Sequence, residues 1–354
     1  MIEIDFDRLR PIGLSSVQAQ ALAALDHERG VAARVVAVFR ETVVVHDGTR
    51  EFSVRPLPRL VRELVEEDSQ LAVGDWVLVE GDAWAAVRVP PANQITRRDP
   101  GGERHIIASN IDVALVLMGL DDDFNPRRVE RYLATVQAAR VWPVVVLTKA
   151  DLSTRDLDPS ARASQIHALR ERLPSDVLMH SVDATAPQAA ATLAPYLGVG
   201  QTVVLLGSSG AGKSTLTNTL AGNCVQATGP VRENDGRGRH TTTSRVLIVL
   251  PGGACVIDTP GLRGLRPDAD ASAIAATFAD IGALASACRF RDCRHQAEPG
   301  CAVQEAVGAD RLANYHKLQR EVRRDQMDSL ARRQLQAQMK VRARAMRARL
   351  KEKG

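Results

Sequence analysis

The sequence predicts an α/β protein built on a mostly parallel sheet with helices on both faces, preceded by a small β-barrel and followed by a helical, metal-binding region. Three observations carry this. From about residue 106 to residue 261, apolar runs of strand length alternate with helical stretches. Residues 31–91 hold short β-rich runs broken by turn pairs. Beyond Gly261 the chain is helical and polar, and it brings Cys288, Cys293, His295 and Cys301 together in sequence.

At 354 residues the chain is long enough for a sizeable core and two or three domains. The opening MIEIDFDRLRPIG puts acids before any apolar run, unlike a secretory signal. The strongest apolar stretches, Ile111–Leu120 and Val141–Leu147, are too short to span a bilayer. A cytoplasmic protein with no membrane partner is therefore expected. Three of the five cysteines fall within 14 residues, which suits a metal site in a reducing compartment rather than a disulfide framework. The net charge of +4 is uneven: residues 311–354 hold 14 basic and 4 acidic side chains, so the rest of the chain is net acidic. Such a tail fits either a polyanion or a solvated helix end.

Residues 1–30 contain a short helix, SVQAQALAAL, as an N-terminal extension. The runs ARVVAVF, ETVVVHDGTREFSV, GDWVLVE and AWAAVRV then make about five strands, with Asp47–Gly48 and Gly81–Asp82 as hairpin turns. This is the size of an OB-like barrel or of another small barrel such as an SH3-like one, assigned to 31–95. Trp76 and Trp84 are candidates for stacking on bases, though an aromatic in so small a barrel belongs more often to its core.

The α/β region, assigned to 96–266, begins with the apolar run Ile111–Leu120, as expected of a strand covered on both faces. Asn125 and Pro126 start a helix as N-cap and first residue. Strand VVVL (144–147), a helix near 161–173, strand QTVVLL (201–206), a helix after Gly212, and strands VLIVL and CVID follow.

The stretch from Gly207 to Thr215, GSSGAGKST, lies between a predicted strand and a predicted helix and fits the phosphate-binding loop. Gly207, Gly210 and Gly212 allow the tight turn, and the amides from Ser208, Ser209 and Ala211 onward point at phosphates beside the helix N-terminus. Lys213 reaches the β and γ phosphates, and the Ser214 hydroxyl ligates Mg²⁺. Asp258, at the tip of the strand CVID, is placed to hold the same ion, and Gly261 offers its N–H to the γ-phosphate. Between them GRGRHTTTSR (236–245) is a loop where Thr241 or Thr242 can reach Mg²⁺.

Thr148-Lys149-Ala150-Asp151 follows strand VVVL and decides the base. A carboxylate there accepts both N1–H and N2–H₂ of guanine, a donor pair that adenine lacks. Lys149 packs its stem over the base. GTP and GDP are thus the expected ligands.

These motifs resemble those of the translation-factor-related GTPases, but in rotated order: Asp151 precedes Gly207 by 56 residues and DTPG closes the domain. That order resembles the circularly permuted GTPases. With the barrel before and the cysteine–histidine cluster after, residues 31–320 look like the ribosome small subunit-dependent GTPase A family of bacterial 30S assembly factors. The resemblance makes Gly207–Thr215 the first motif, Thr241 or Thr242 the second, Asp258–Gly261 the third, Thr148–Asp151 the fourth and Ser181 with Val182 the fifth. Two departures are visible: Thr148 stands where asparagine is commoner, and HSVDA is not the usual Ser-Ala. Leu262 occupies the place of a water-orienting glutamine, a hydrophobic replacement known in the family. His240 is then the family's proposed catalytic group, unless it contacts phosphate or ribosome instead. Slow hydrolysis of GTP, accelerated by the 30S subunit during its late maturation or checking, follows from the resemblance, as do a monomer and contacts to 16S rRNA.

Cys288, Cys293, His295 and Cys301 give C-x₄-C-x-H-x₅-C, a complete tetrahedral set for one structural Zn²⁺, in a domain assigned to 267–320. Cys224 and Cys255 read as ordinary thiols. From Asp310 onward, leading into the basic tail (321–354), an apolar stripe from Leu312, Tyr315, Leu318 and Val322 is expected to pack on the zinc region before arginines take over. Two other classes share parts of this pattern. An ATP-driven transporter motor needs an LSGGQ-like signature, which is absent. A nucleic-acid-binding protein with a degenerate nucleotide domain is at odds with intact Lys213, Ser214 and Asp258.

Overall fold

The computed structural model describes residues 4–25, 30–99, 103–150, 159–222, 245–261 and 266–325. The chain opens with α1 (Phe6–Leu9) and α2 (Ser16–Ala23). A reciprocal capping box starts α2: Gln18 N–H donates to Ser15 Oγ and Ser15 N–H to Gln18 Oε1.

The barrel follows as β1 (Val31–Val38), β2 (Val43–His46), β3 (Glu51–Pro56), α3 (Pro58–Glu66), β4 (Trp76–Glu80) and β5 (Trp84–Arg88). Its pairings run β1–β2–β3–β5–β4 and back to β1, with β3 and β5 parallel, so the sheet closes on itself. This five-stranded closure, with a helix between the third and fourth strands, makes it an OB-like barrel. Asp47 fixes the first hairpin by accepting from the Thr49 and Arg50 amides. Helix α3, which the sequence reading missed, sends Leu60 and Leu64 into the barrel core with Val35, Val45 and Val77. Trp76 is fully buried, whereas Trp84 is exposed.

β1 is buried along both faces because each has a neighbour. The barrel covers Ala33 and Val35, and Arg34 turns the other way into a fully buried joint. There its guanidinium donates to the carbonyls of Ile12 (2.6 Å), Asn110 (3.1 Å) and Gly74 (3.4 Å), tying the N-terminal segment, the barrel and the nucleotide domain together.

A second sheet missed by the sequence reading consists of β6 (Gln94–Arg98), β7 (Arg104–Ser109) and the later β14 (Arg266–Pro267), in the order β14–β6–β7. Both expected boundaries, after residues 95 and 266, cut strands of this sheet.

The main sheet adds β8 (Val113–Gly119), α4 (Pro126–Ala138), β9 (Trp142–Thr148), α5 (Pro159–Arg170), β10 (Leu178–Ser181), α6 (Gln188–Leu193), β11 (Thr202–Gly207), α7 (Lys213–Ala221), β12 (Val246–Val249) and β13 (Cys255–Asp258). Its order is β10–β9–β8–β11–β13–β12; the strands are parallel except β12, which runs antiparallel to β13. Asn125 caps α4 as expected, accepting from Arg128 N–H. One apolar cluster fills each face, so the central strands are buried throughout. At the far edge β12 also pairs with β1 at Val246 and Ala37, which makes barrel and nucleotide sheet continuous.

The C-terminal part holds α8 (Ala271–Thr277), α9 (Ala279–Ala285), α10 (Ala302–Ala306) and a helix, α11, over 309–325. Leu312, Leu318 and Val322 pack with Ile274, Phe278 and Val303, with Tyr315 beside them, as the periodicity requires. Buried Glu130 on α4 anchors this region by accepting from Arg311, Arg172 and Asn314. No described helix is long and apolar enough to cross a membrane.

Candidate functional site

The phosphate loop leaves the end of β11 at Gly207 and enters α7 through Gly212, whose φ of +83° suits glycine. Ser208 is buried, and its Oγ donates to Asp123 Oδ2 at 2.5 Å. Asp123 also pairs with Arg128. Burial opposes its charge, but hydrogen bonds from Arg128 and Ser208 outweigh that and hold its pKa below the usual carboxylate value. Ser209 and Gly210 are exposed at the loop's crest, Ala211 is buried beneath it, and Thr215 is half-buried in the first turn of α7. Lys213 lies folded along the loop, its Nζ donating to the carbonyls of Ser208 (2.7 Å) and Gly207 (3.1 Å). Burial pushes its pKa down to about 8, against the attraction of Asp258.

β13 runs parallel beside β11, so Asp258 reaches the loop from the neighbouring strand end. Its Oδ2 accepts from Ser214 Oγ at 3.3 Å, while Oδ1 is buried with no hydrogen-bond partner. Burial raises the Asp258 pKa, against the opposing effects of Lys213, Ser214 and the Thr259 amide. A buried carboxylate oxygen without a donor, beside a hydroxyl at a phosphate loop, is the donor set a small hard cation requires. Mg²⁺ therefore fits Ser214 and Asp258. Thr259 Oγ1 donates to Leu205 O at 2.6 Å, fixing the turn that delivers Gly261 onto the loop. A β-carbon on Gly261 would lie 2.5 Å from Ser209 N, so only glycine fits that approach.

The base-reading stretch converges on the same loop. Thr148, at the end of β9, donates from Oγ1 to Ala211 O at 2.9 Å. Thus threonine holds the strand end to the loop where asparagine is commoner. Lys149, with φ of +60°, pairs with Asp121. Ser181, exposed at the end of β10, lies beside this turn, because Val182 N–H donates to Leu147 O and Ala150 N–H to Val182 O. Asp121 and Asp123 were missed from the sequence. Their signal is the acid run directly after strand β8, level with the loop. Asp151, His240, Thr241, Thr242, Leu262 and Cys224 lie outside the described residues.

Away from this site, one ligand atom each from Cys288, Cys293, His295 and Cys301 falls within 4.8 Å of all the others. The Cys288–Cys301 Sγ separation is 3.9 Å, and His295 Nδ1 is 3.6 and 3.4 Å from those two sulfurs. A tetrahedral Zn²⁺ with bonds of about 2.3 Å to sulfur and 2.0 Å to nitrogen sets ligand atoms roughly 3.5–3.8 Å apart. The cluster fits that ion. Cys255, by contrast, is buried against the Arg34 joint, as an ordinary thiol.

A family model described as "RsgA GTPase" matches residues 89–267. A protein of Xanthomonas campestris pv. campestris (strain B100), "Small ribosomal subunit biogenesis GTPase RsgA", is 48% identical over 305 residues, covering 84% of this chain and 82% of that one. Its namesake in Xanthomonas axonopodis pv. citri (strain 306) matches equally well, at 48% over the same coverage. Among solved structures, YjeQ from Thermotoga maritima aligns at a TM-score of 0.59 and 22% identity, over 83% of this chain and 99% of that one. YloQ, titled a circularly permuted GTPase, aligns at 0.55 and 23%, over 84% and 96%. These two share the fold.

Proposed function

Because this chain belongs to the RsgA GTPase family, and is thus a GTP hydrolase of small ribosomal subunit biogenesis, we propose that its phosphate loop, DTPG turn and TKAD turn act together on GTP. The observation that carries this is the convergence on one loop of Ser214 in the first turn of α7, Asp258 at the end of β13 and Thr148 at the end of β9. Loop amides and Lys213 bind and orient the phosphates, Gly261 donates its N–H to the γ-phosphate, and Asp151 reads guanine with Ser181 at the base edge. Ser214, Asp258 and Thr241 or Thr242 hold Mg²⁺, which when bound neutralises phosphate charge. Leu262 cannot orient water, so His240 takes that role in the complex with a partner.

The partner in this reading is the 30S subunit, met through 16S rRNA phosphates by the barrel (31–95), the zinc domain (267–320) and the basic tail (321–354), with the chain acting as a cytoplasmic monomer. Zn²⁺ has a structural role, since four protein ligands leave no open position. The testing experiment is turnover of GTP and of ATP, each with and without purified 30S subunits. GTP-selective turnover that rises with subunits supports the reading, and His240→Ala should then cost about 100-fold in the stimulated rate. Equal turnover of ATP, or fast turnover without subunits, defeats it.

A further inference from the structure

The turn between β8 and α4 carries three acids, Asp121 to Asp123, that the nucleotide motifs leave without a role. β8 lies between β9 and β11 and runs parallel to both. Gly119 is level with Thr148 on one side, and Leu117 is level with Gly207 on the other. The turn leaving β8 therefore emerges between the base-reading turn and the phosphate loop, and one acid reaches each way. Asp121 pairs with Lys149 of the base-reading turn. Asp123 Oδ2 accepts from Ser208 Oγ of the phosphate loop at 2.5 Å.

The turn is itself held in place. Asp123 N–H donates to Asp121 Oδ1 at 3.3 Å, and Phe124 N–H donates to Asp121 O at 2.9 Å. Phe124 packs on the apolar cluster of the main sheet. Arg128, in the first turn of α4, pairs with the Asp123 carboxylate and donates to its carbonyl at 3.5 Å. An ionised carboxylate can only accept, so the Ser208 proton is committed to Asp123 rather than to a phosphate. The Ser208 carbonyl in turn accepts from Lys213 Nζ at 2.7 Å. Ser208 is thus buried and tied at both side chain and backbone, the side-chain tie being of the stronger, charge-assisted kind.

We propose that the Asp121–Asp123 turn sets the span between the two ends of the nucleotide site. Asp123, acting through Ser208, holds the start of the phosphate loop, and Asp121, acting through Lys149, holds the base-reading turn. Both are positioning residues. The inference rests on the reading of these two loops as one GTP site, and it assigns each acid to a different half of the nucleotide.

Single-turnover GTP hydrolysis, calorimetric affinities for GDP and ADP, and Tm are measured on full-length wild type and variants. Asp123→Ala should slow hydrolysis about 10-fold and leave the preference for GDP over ADP unchanged. Asp123→Asn still accepts from Ser208 and should recover most of that rate. Ser208→Ala should cost as much as Asp123→Ala, and the double variant no more than either, as one shared contact requires. Asp121→Ala should instead weaken GDP binding about 10-fold and erode the preference over ADP, with the hydrolysis rate of bound GTP little changed. Asp121→Asn, which lacks the charge that holds Lys149, should not restore it. Hydrolysis by Asp123→Ala at the wild-type rate, or wild-type affinity and preference in Asp121→Ala, overturns the proposal. So do equal losses of rate, affinity and Tm in both alanine variants with no recovery in Asp123→Asn, since the turn would then be a structural prop alone. A wild type that binds ADP as tightly as GDP is a separate result: it defeats the GTP reading and the role given to Asp121 with it.

Discussion

Gly261 rests on the backbone of Ser209 so closely that an added β-carbon would lie 2.5 Å from its nitrogen and 2.6 Å from its Cα. Gly261→Ala must therefore displace the crest of the phosphate loop. An ångström of misplacement at a reacting centre costs about 100-fold in rate. GTP turnover is expected to fall by that order, with the Tm changed by only a few degrees. Turnover within twofold of wild type would show that the approach is not needed for catalysis.

Lys213 gives a pH dependence with a definite sign. Its folded pKa of about 8 lies below its ordinary 10.5 because burial disfavours the ammonium. Between those values the unfolded chain holds a proton that the folded chain has released, so this group's contribution to stability rises with pH across that window. Below about pH 8 both states are protonated, and the buried charge opposes folding by about 3 kcal/mol. Lys213→Met should thus be stabilising at pH 7 and lose that advantage as pH rises from 8 to 10.5. Urea unfolding of both proteins at several pH values measures it; a pH-independent difference would contradict it.

Asp151→Asn is predicted to weaken GTP and GDP binding by about 10- to 100-fold, the worth of hydrogen bonds to a charged acceptor. The same change should shift preference toward xanthine nucleotides, whose donor at position 2 is replaced by oxygen. Competition calorimetry with GTP, XTP and ATP reads both effects. Wild-type protein that binds ATP as tightly as GTP would remove Asp151 from base selection.

For the metal cluster, Cys293→Ser and His295→Ala should each lower zinc content well below one per chain and unfold the region around α9 and α10 first. Metal coordination is folding energy in a small region of this kind. Nucleotide affinity should stay within about twofold, since the cluster lies away from the loop. Elemental analysis of freshly purified wild type showing far less than one zinc would refute the assignment.

The nucleotide site was legible because its parts are local. A glycine loop between strand and helix, an acid at a strand tip and four close metal ligands all declare themselves within a few residues. The missed elements lack a local signal. β6 and β7 are short and arginine-rich, and they read as strands only once Asp268, reached from β14, binds Thr96, Arg98 and Arg104 together. α3 shows Val61 and Val65 on its exposed face beside buried Leu60 and Leu64, so its apolar pattern blends into the β-rich texture around it. Barrel closure rests on the β1–β4 and β3–β5 pairings, which no local pattern encodes. Arg34, a charge inside a strand, gave no hint of the three carbonyls that make its burial tolerable.

The bridge between Ala37 and Val246 joins residues 209 positions apart. During synthesis β1 emerges early and closes its barrel with partners no further along than β5. The end of β1 at Ala37 must then wait for β12, which appears only after the TKAD turn and the phosphate loop have been made. Contacts of such separation form late and slowly. The barrel is thus a finished template against which the last edge of the nucleotide sheet is laid down, and assembly of the GTP site is completed from the outer strands inward.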